Sequence, residues 1–430
     1  MKFRVERDVL GQAVSWVARA LPARPVVPVL AGLLLQAEGD ELRLSCFDYE
    51  VSARAAVRAD VGEPGAALVP GTLLAEIARN LPPADVEVST TAGMVTLTCG
   101  SAEFALVSLP LAEYPELPAV PAIAGTVDGG LLATAAAQVV PSASRDDTLP
   151  MLTGVCLDVD GPTLTLAATD RYRMAVRTAR WDPVDPKTRW SVLVPARTLA
   201  EVARTMMTPG KPVTISVGQP ERVGAGPADG VICFEGAGRR LTARLIGAEF
   251  IRYEARFPAG FEASAELPAG SFTEAVSRVS LVADRGAAVQ LAFRRDGVVI
   301  EAQSAGRARA VETVPGRLAG DDQVISFNPH YLLDGLTAAA MTAHAARVDG
   351  HPADRIRLQF TSPARPALIT WLPGDGEAQP ESPGAAAADV GNGAGSHHLA
   401  APAAGGGVGV PGNRAVFRYL VVPLRTLTGS

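Results

Sequence analysis

The chain has 430 residues, and 48% of them are hydrophobic, which excludes disorder along its whole length and supplies material for several cores. A net charge of −6 argues against a uniformly basic nucleic-acid binder, but not against a protein that gathers positive charge on one surface. No apolar run approaches a membrane span, and Met1 to Asp8 has no signal core, so the chain reads as cytoplasmic with no membrane partner.

Taken in order, the elements repeat. An apolar helix is expected over Val9 to Leu21, with Leu10, Val14, Val17 and Leu21 on one face. A hairpin follows, Leu33 to Ala37 and Leu42 to Cys46, turning at Glu38-Gly39-Asp40. The run Leu68-Val69-Pro70 leads into a second helix, with proline just inside its start, and strands over Val86 to Leu109 close the copy.

The second copy opens with a helix at Leu131 to Val140. Its hairpin pairs Val155 to Val159 with Leu164 to Ala168, and a second helix follows Leu193-Val194-Pro195. The third opens at Phe272 to Val282, pairs Val289 to Phe293 with Val298 to Ala302, and enters its second helix at Phe327-Asn328-Pro329. Leu73, Leu199 and Leu332 are read as equivalent, at spacings of 126 and 133 residues. Pro, Ala and Gly cluster near Val120 to Gly125 and Phe261 to Glu266, which places the modules at 1–123, 124–262 and 263–430.

Each module therefore carries two helices on one face of antiparallel sheets, an α+β architecture. Three such modules in tandem make an arc with helices lining one side and strands the other. The stretch Gly374 to Asn413 lacks apolar periodicity and reads as a disordered insertion at about 375–413, with His397-His398 as solvated loop residues rather than metal ligands.

Chemistry-bearing motifs are scarce. Cys46, Cys99, Cys156 and Cys233 stand far apart in strand-like runs, which suits buried, reduced thiols better than zinc or disulfides. The five histidines form no metal-spaced motif, and Gly210-Lys211-Pro212 lacks the glycine spacing and the Ser or Thr of a P-loop. Asp170 in Thr169-Asp170-Arg171 matches Asp48 in Phe47-Asp48-Tyr49, and a residue repeated between copies is more often structural than catalytic. Neither metal nor cofactor is expected. An enzyme of unknown type stays open as one function class, and a scaffold that does not bind nucleic acid as another.

Several segments together carry a resemblance. Met1-Lys2-Phe3-Arg4-Val5-Glu6-Arg7 and Arg24-Pro25-Val26-Val27-Pro28-Val29-Leu30 are similar to the start of the bacterial replicative sliding clamp, the β subunit of DNA polymerase III. Arg145 to Gly154 and Ala168 to Val176 resemble its second domain in the actinobacterial style, and Phe327 to Leu333 with Tyr419 to Arg425 its third. The resemblance covers the whole chain except the late insertion.

It implies a non-catalytic processivity factor in which two three-domain arcs close head to tail into a homodimeric ring around double-stranded DNA. The implied joint sets Phe104 and Leu106 of one subunit against Leu281 and Val282 of the other, although all four could equally be core residues. The implied DNA-facing residues are Arg24, Arg79, Arg145, Arg197 and Arg204, which would attract phosphates without reading bases. Any one of these could instead be solvated or ion-paired.

The resemblance also implies a groove for short peptide motifs of the polymerase III alpha subunit, the clamp loader and other clients. Its positions fall on Leu152, Thr169, Arg171, Tyr172, Arg173, Met174, Ile251, Ala255 and Arg256, and on Asn328, Tyr331, Pro366, Val421, Val422, Pro423, Leu424 and Arg425. The chain departs from the family there. Ile251 stands where proline is usual, Val422 where methionine is common, and Thr426 to Ser430 runs past the usual end. Two readings of these departures stay open. One is a variant or second-copy clamp whose remodelled groove tolerates a groove-directed inhibitor; the other is drift without functional change.

Overall fold

In the computed structural model, the residues described are 1–91, 93–206, 209–218, 230–347, 355–372 and 416–424. Arg425, the 375–413 segment with His397 and His398, and Thr426 to Ser430 lie outside them. Six α-helices occur among the described residues, two per module. They are α1 (Arg7–Val17), α2 (Gly71–Asn80), α3 (Gly129–Val139), α4 (Ala196–Thr205), α5 (Ala269–Ser280) and α6 (Pro329–Arg347). None is long and apolar enough to cross a membrane.

The helices form where apolar residues recur at helical spacing. In α1, Leu10, Val14 and Val17 are fully buried, each stabilising the fold by roughly 1.5–3 kcal/mol. Leu21 lies beyond the helix, in extended backbone, because the helix ends at Val17 and a short 3-10 turn follows. Asp128 caps α3 by accepting the Leu131 N–H at 2.9 Å. Pro70 and Pro195 occupy the N-cap positions of α2 and α4 rather than the first helical turn; only Pro329 lies inside its helix.

One expected equivalence shifts by a residue. Leu74, not Leu73, is the buried partner of Leu199 and Leu332, whereas Leu73 is 44% exposed. Helix entry is fixed by the prolines at 70 and 195, so the spacing is 125 residues and the neighbouring leucine turns outward.

Among the described residues all strands pair antiparallel, and each helix pair packs against the sheets of its module. The sheets do not stop at module boundaries. The outer hairpin strand of module one, Val51–Arg58, pairs with Arg239–Arg244 of module two, so that four strands of the first and five of the second make one nine-stranded sheet. Arg173–Arg180 of module two pairs in the same way with Phe417–Val421 of module three, making a second nine-stranded sheet.

This arrangement leaves a five-stranded sheet at one end of the chain and a four-stranded sheet at the other. The five-stranded sheet ends on Ala102–Val107, and the four-stranded sheet on Ala308–Pro315. These two open strands hold the same positions in their hairpins as the strands that pair at the internal junctions.

Candidate functional site

The junction between modules two and three carries a cleft of about 730 Å³ on the strand side. Ten of the predicted groove residues line it: Leu152, Thr169, Arg171, Arg173, Met174, Ile251, Ala255, Arg256, Pro366 and Val422. Phe257, Pro258, Gly260, Thr361, Arg365 and Leu420 line it as well and were not anticipated. Phe257-Pro258 directly follows Arg256, so an aromatic–proline step in that loop was the available signal. The floor is the face of a small apolar cluster that includes Met174, Leu420, Leu193 and Tyr253, with Ile251 and Phe257 packed on it.

Local chemistry fixes the rim. Asp170 Oδ1 accepts the backbone N–H groups of Tyr172 and Arg173, both at 3.0 Å, and forces the intervening chain into a tight turn. Arg171 sits in that turn at φ 81, a left-handed conformation that costs about 1 kcal/mol or more outside glycine. Asp48 does the same for Glu50 and Val51, with Tyr49 at φ 72, and the third copy places Gly306 there at φ 70. The repeated aspartate is thus a turn residue in both copies.

The Arg173 guanidinium joins three segments. Its Nε donates to Asp170 at 2.9 Å, its Nη1 pairs with Asp334 on α6, its Nη2 donates to the Pro141 carbonyl, and the group lies 4.6 Å from the Tyr331 ring centre. Tyr331 in turn stacks on Tyr172 at 5.9 Å. On the opposite wall, Tyr253 donates to Asp158 at 2.9 Å and pins the segment that carries Ile251. Burial pushes the Asp158 carboxyl above its ordinary value, and the Tyr253 hydrogen bond opposes that shift.

The remaining predicted groove residues do not line the cleft. Asn328 caps α6 by accepting the His330 and Tyr331 N–H groups. Val421 is buried in the strand pair with Arg173, Pro423 is buried, and Leu424 is held by its N–H on the Ser326 carbonyl. Tyr172 and Tyr331 form the stack beside the cleft, behind Arg173. Arg425 falls outside the described residues.

Two further clefts open among the helices. One, of about 520 Å³ between modules one and two, is lined by Arg7, Arg19, Arg79, Arg204 and Arg239 around Trp16, with Asp8 at its edge. Arg79 and Arg204 occupy the same position of α2 and α4, and both are exposed. Arg7, Arg19 and Arg239 were not anticipated; Arg7 and Arg19 bracket α1, while Arg239 arrives across the Val51–Arg58 pairing. Burial, and then the neighbouring Arg19, lower the proton affinity of Arg239. The other cleft, of about 860 Å³, contains Arg145, Arg197 and Arg244 with Asp147, Glu50 and Asp334. Arg145 and Arg197 are exposed there. Arg24 is exposed in the loop after α1 and lines neither cleft.

At the open edges, Leu106 is buried in the chain's own core and Phe104 is half-buried against it. Val282 also packs on the core, while Leu281 is 83% exposed at the end of α5.

Among the described residues, no group of His, Cys, Asp and Glu could hold a metal ion. Family models of the DNA polymerase III beta subunit match in order: the N-terminal domain over residues 1–118, the central domain over 126–251 and the C-terminal domain over 255–379. This chain belongs to the DNA polymerase III beta subunit family, the bacterial sliding clamps. It is 48% identical over 373 residues to the beta sliding clamp of Streptomyces coelicolor, covering 87% of this chain and 94% of that one. It is 41% identical over 337 residues to the beta sliding clamp homolog GriR of Streptomyces muensis, covering 78% and 88%. The same fold is seen in the Pseudomonas aeruginosa sliding clamp bound to griselimycin, with a TM-score of 0.79, 23% identity, and 99% and 100% of the two chains covered. Within this chain, the arginine clefts open among the helices, and the apolar cleft lies on the strand side of the junction between modules two and three.

Proposed function

We propose that this clamp is a non-catalytic processivity factor: two copies close head to tail around duplex DNA, and the cleft at Arg171 and Val422 holds peptide segments of replication proteins. One observation carries the reading. Each internal junction joins a four-strand edge to a five-strand edge, and the chain retains one open edge of each kind. A heterologous contact between such edges yields a ring when the rotation closes.

The internal registers give that of the joint. Leu241 lies opposite Ala53 at the first junction, and Tyr419 opposite Ala175 at the second. The equivalent pair is Phe104 opposite Ala310 of a second copy, with Leu106 opposite its Ala308. Leu106 then serves both as a core residue and as a wall of the joint.

Exposed arginines on α2 and α4 and in the 145 loop suit sequence-independent phosphate attraction, which reconciles a bore for DNA with a net charge of −6. DNA polymerase III alpha, the clamp loader and other clients are the partners this reading assigns to the strand-side cleft, where apolar side chains enter and Arg171, Arg256 and Arg365 bound the rim. Retention on covalently closed circular DNA, with loss after linearisation, tests the ring. A protein that leaves both equally fast is not a clamp. A Phe104→Cys, Ala310→Cys double variant, oxidised, is expected to give a covalent dimer.

The placement of Ile251 and Val422 on the walls of one cleft favours a second reading, that of a variant clamp with a remodelled groove. Valine is shorter and stiffer than methionine and gives a less adaptable wall, and isoleucine leaves the backbone freer than proline would. On this reading the chain keeps client peptides but binds griselimycin weakly, and Ile251→Pro with Val422→Met restores inhibitor affinity by roughly tenfold. Equal inhibitor affinity in the two proteins ends this reading.

A further inference from the structure

One wall of the apolar cleft is a short turn gripped at both ends. Glu254–Arg256 form a 3-10 turn, with the Arg256 N–H on the Tyr253 carbonyl at 3.1 Å and the Phe257 N–H on the Glu254 carbonyl at 3.3 Å. Ala255, Arg256 and Phe257 line the cleft, with Ile251 shortly before them and Pro258 directly after. A single 3-10 turn has poor hydrogen-bond geometry and little stability of its own, so its place is set by what holds its ends.

The two grips come from different modules. Tyr253, at the start, is buried and donates its hydroxyl to Asp158 at 2.9 Å, on the strand Gly154–Asp160 of module two. Phe257, at the end, lies under the Arg418 guanidinium, which is 4.2 Å from the ring centre and belongs to the strand Phe417–Val421 of module three. We infer that Asp158 and Arg418 are positioning residues of the cleft for client peptides. Neither lines the cleft, yet together they fix where its wall meets the apolar anchor of a partner. This rests on the reading of the cleft as the client site.

The two internal junctions, set side by side, show what frees Arg418 for this task. Arg240 holds the same position at the first junction, because Leu241 pairs with Ala53 as Tyr419 pairs with Ala175. Arg240 is taken up by Glu235, directly opposite on the adjacent strand, at 2.8 Å. At the second junction, the register that sets Ile369 against Tyr419 brings Thr370 opposite Arg418, and threonine offers no charge. Among the described residues Arg418 makes no ion pair, and its guanidinium lies over Phe257 instead. Burial lowers its proton affinity, while Tyr253 and Glu254 raise it, which places a desolvated cation against the wall turn. A desolvated cation holds a ring more firmly than one in water.

The chain that carries Arg418 runs on to Val422, which lines the cleft. One segment of module three thus supplies a lining residue and also grips the wall built by module two. A wall already in place spares the partner the cost of ordering it. Loss of a grip should therefore speed dissociation and leave association nearly unchanged.

The test titrates a fluorescein-labelled peptide with Leu and Phe as its apolar anchors against the full chain, and follows its release by stopped flow. Arg418→Met keeps the stem and loses the cation, and is expected to weaken binding by about fivefold to tenfold, nearly all of it in dissociation. Tyr253→Phe removes only the hydroxyl on Asp158 and should weaken binding by about threefold. Arg418→Lys keeps a cation over the ring and should recover roughly half of the loss, a rescue that lost packing alone would not give. In a Phe257→Leu background, Arg418→Met should cost less than about twofold further, because the ring it acts through is gone. A wild-type chain that binds no peptide at high micromolar concentration overturns the client reading, and the positioning roles with it. Wild-type binding that Arg418→Met and Tyr253→Phe both leave unchanged overturns the positioning roles alone, as does an Arg418→Met loss that is undiminished without Phe257. Melting curves show whether each variant folds. Should Arg418→Met not fold, Tyr253→Phe decides, and an unchanged release rate there overturns the proposal.

Discussion

The Arg173 guanidinium lies 4.6 Å from the centre of the Tyr331 ring, across the boundary between the second and third modules. The same group pairs with Asp170 and Asp334 and lines both the apolar cleft and the polar cleft behind it. One side chain thus forms the partition between the strand-side cleft and the helix-side arginines.

Removing that partition is expected to be costly. Arg173→Ala leaves Asp170, itself almost buried, without its partner, and should destabilise the chain by about 2–3 kcal/mol, below the range for a fully buried pair because Asp334 is partly solvated. Chemical denaturation checks the loss. Arg173→Lys keeps the charge but not the fork, and should recover less than half of it.

Arg79 and Arg204 share one helix position and face the same cleft. If each meets a phosphate, the plot of log K against log salt for DNA binding should flatten by about 0.9 for each arginine replaced by glutamine. The two changes should add, and substitution of Arg4, which is paired with Asp85 outside the helical clefts, should leave the slope unchanged.

Gly335 on α6 is fixed by a neighbour rather than by backbone geometry. A Cβ there would lie 2.5 Å from the Tyr419 ring, which is buried and donates its hydroxyl to the Tyr331 carbonyl at 2.7 Å. Gly335→Ala should therefore destabilise by about 1–3 kcal/mol through overpacking, although alanine is the better helix former. Truncation of the ring in Tyr419→Leu should make the alanine tolerable, and thermal melts of the single and double variants check this.

The thiols should be silent in the native protein. All four cysteines are buried. Burial pushes the Cys46 thiol up to about 12 and the Cys156 thiol up to about 11. At pH 8 both therefore stay protonated, and their thiolates form only as pH rises through those values. A thiol reagent at pH 8 should label none of the four before denaturation and all four after it.

The sequence by itself determined the three modules, their helices and hairpins, and most of the cleft. Apolar spacing and turn residues are local signals, and the loop residues around Arg171 and Ile251 lie in short contiguous segments that carry the family resemblance. It misplaced Leu73 because adjacent leucines at a helix start differ only in phase, and phase is set by where the proline begins the helix. It included Asn328, Val421 and Pro423 in the groove, although the first caps a helix and the others are buried. Which side of the backbone faces the cleft depends on packing from another module.

Only the tertiary structure decided that the sheets run across module boundaries, because strand pairing joins residues as far apart as Ala53 and Leu241, or Ala175 and Tyr419, and leaves no periodicity in the chain. For the same reason it alone aligned Trp16 of α1 with Gln138 of α3, each hydrogen-bonded to the second helix of the next module. Their kinship is one of position on the first helices of two modules, and two side chains so different in chemistry share no sequence pattern.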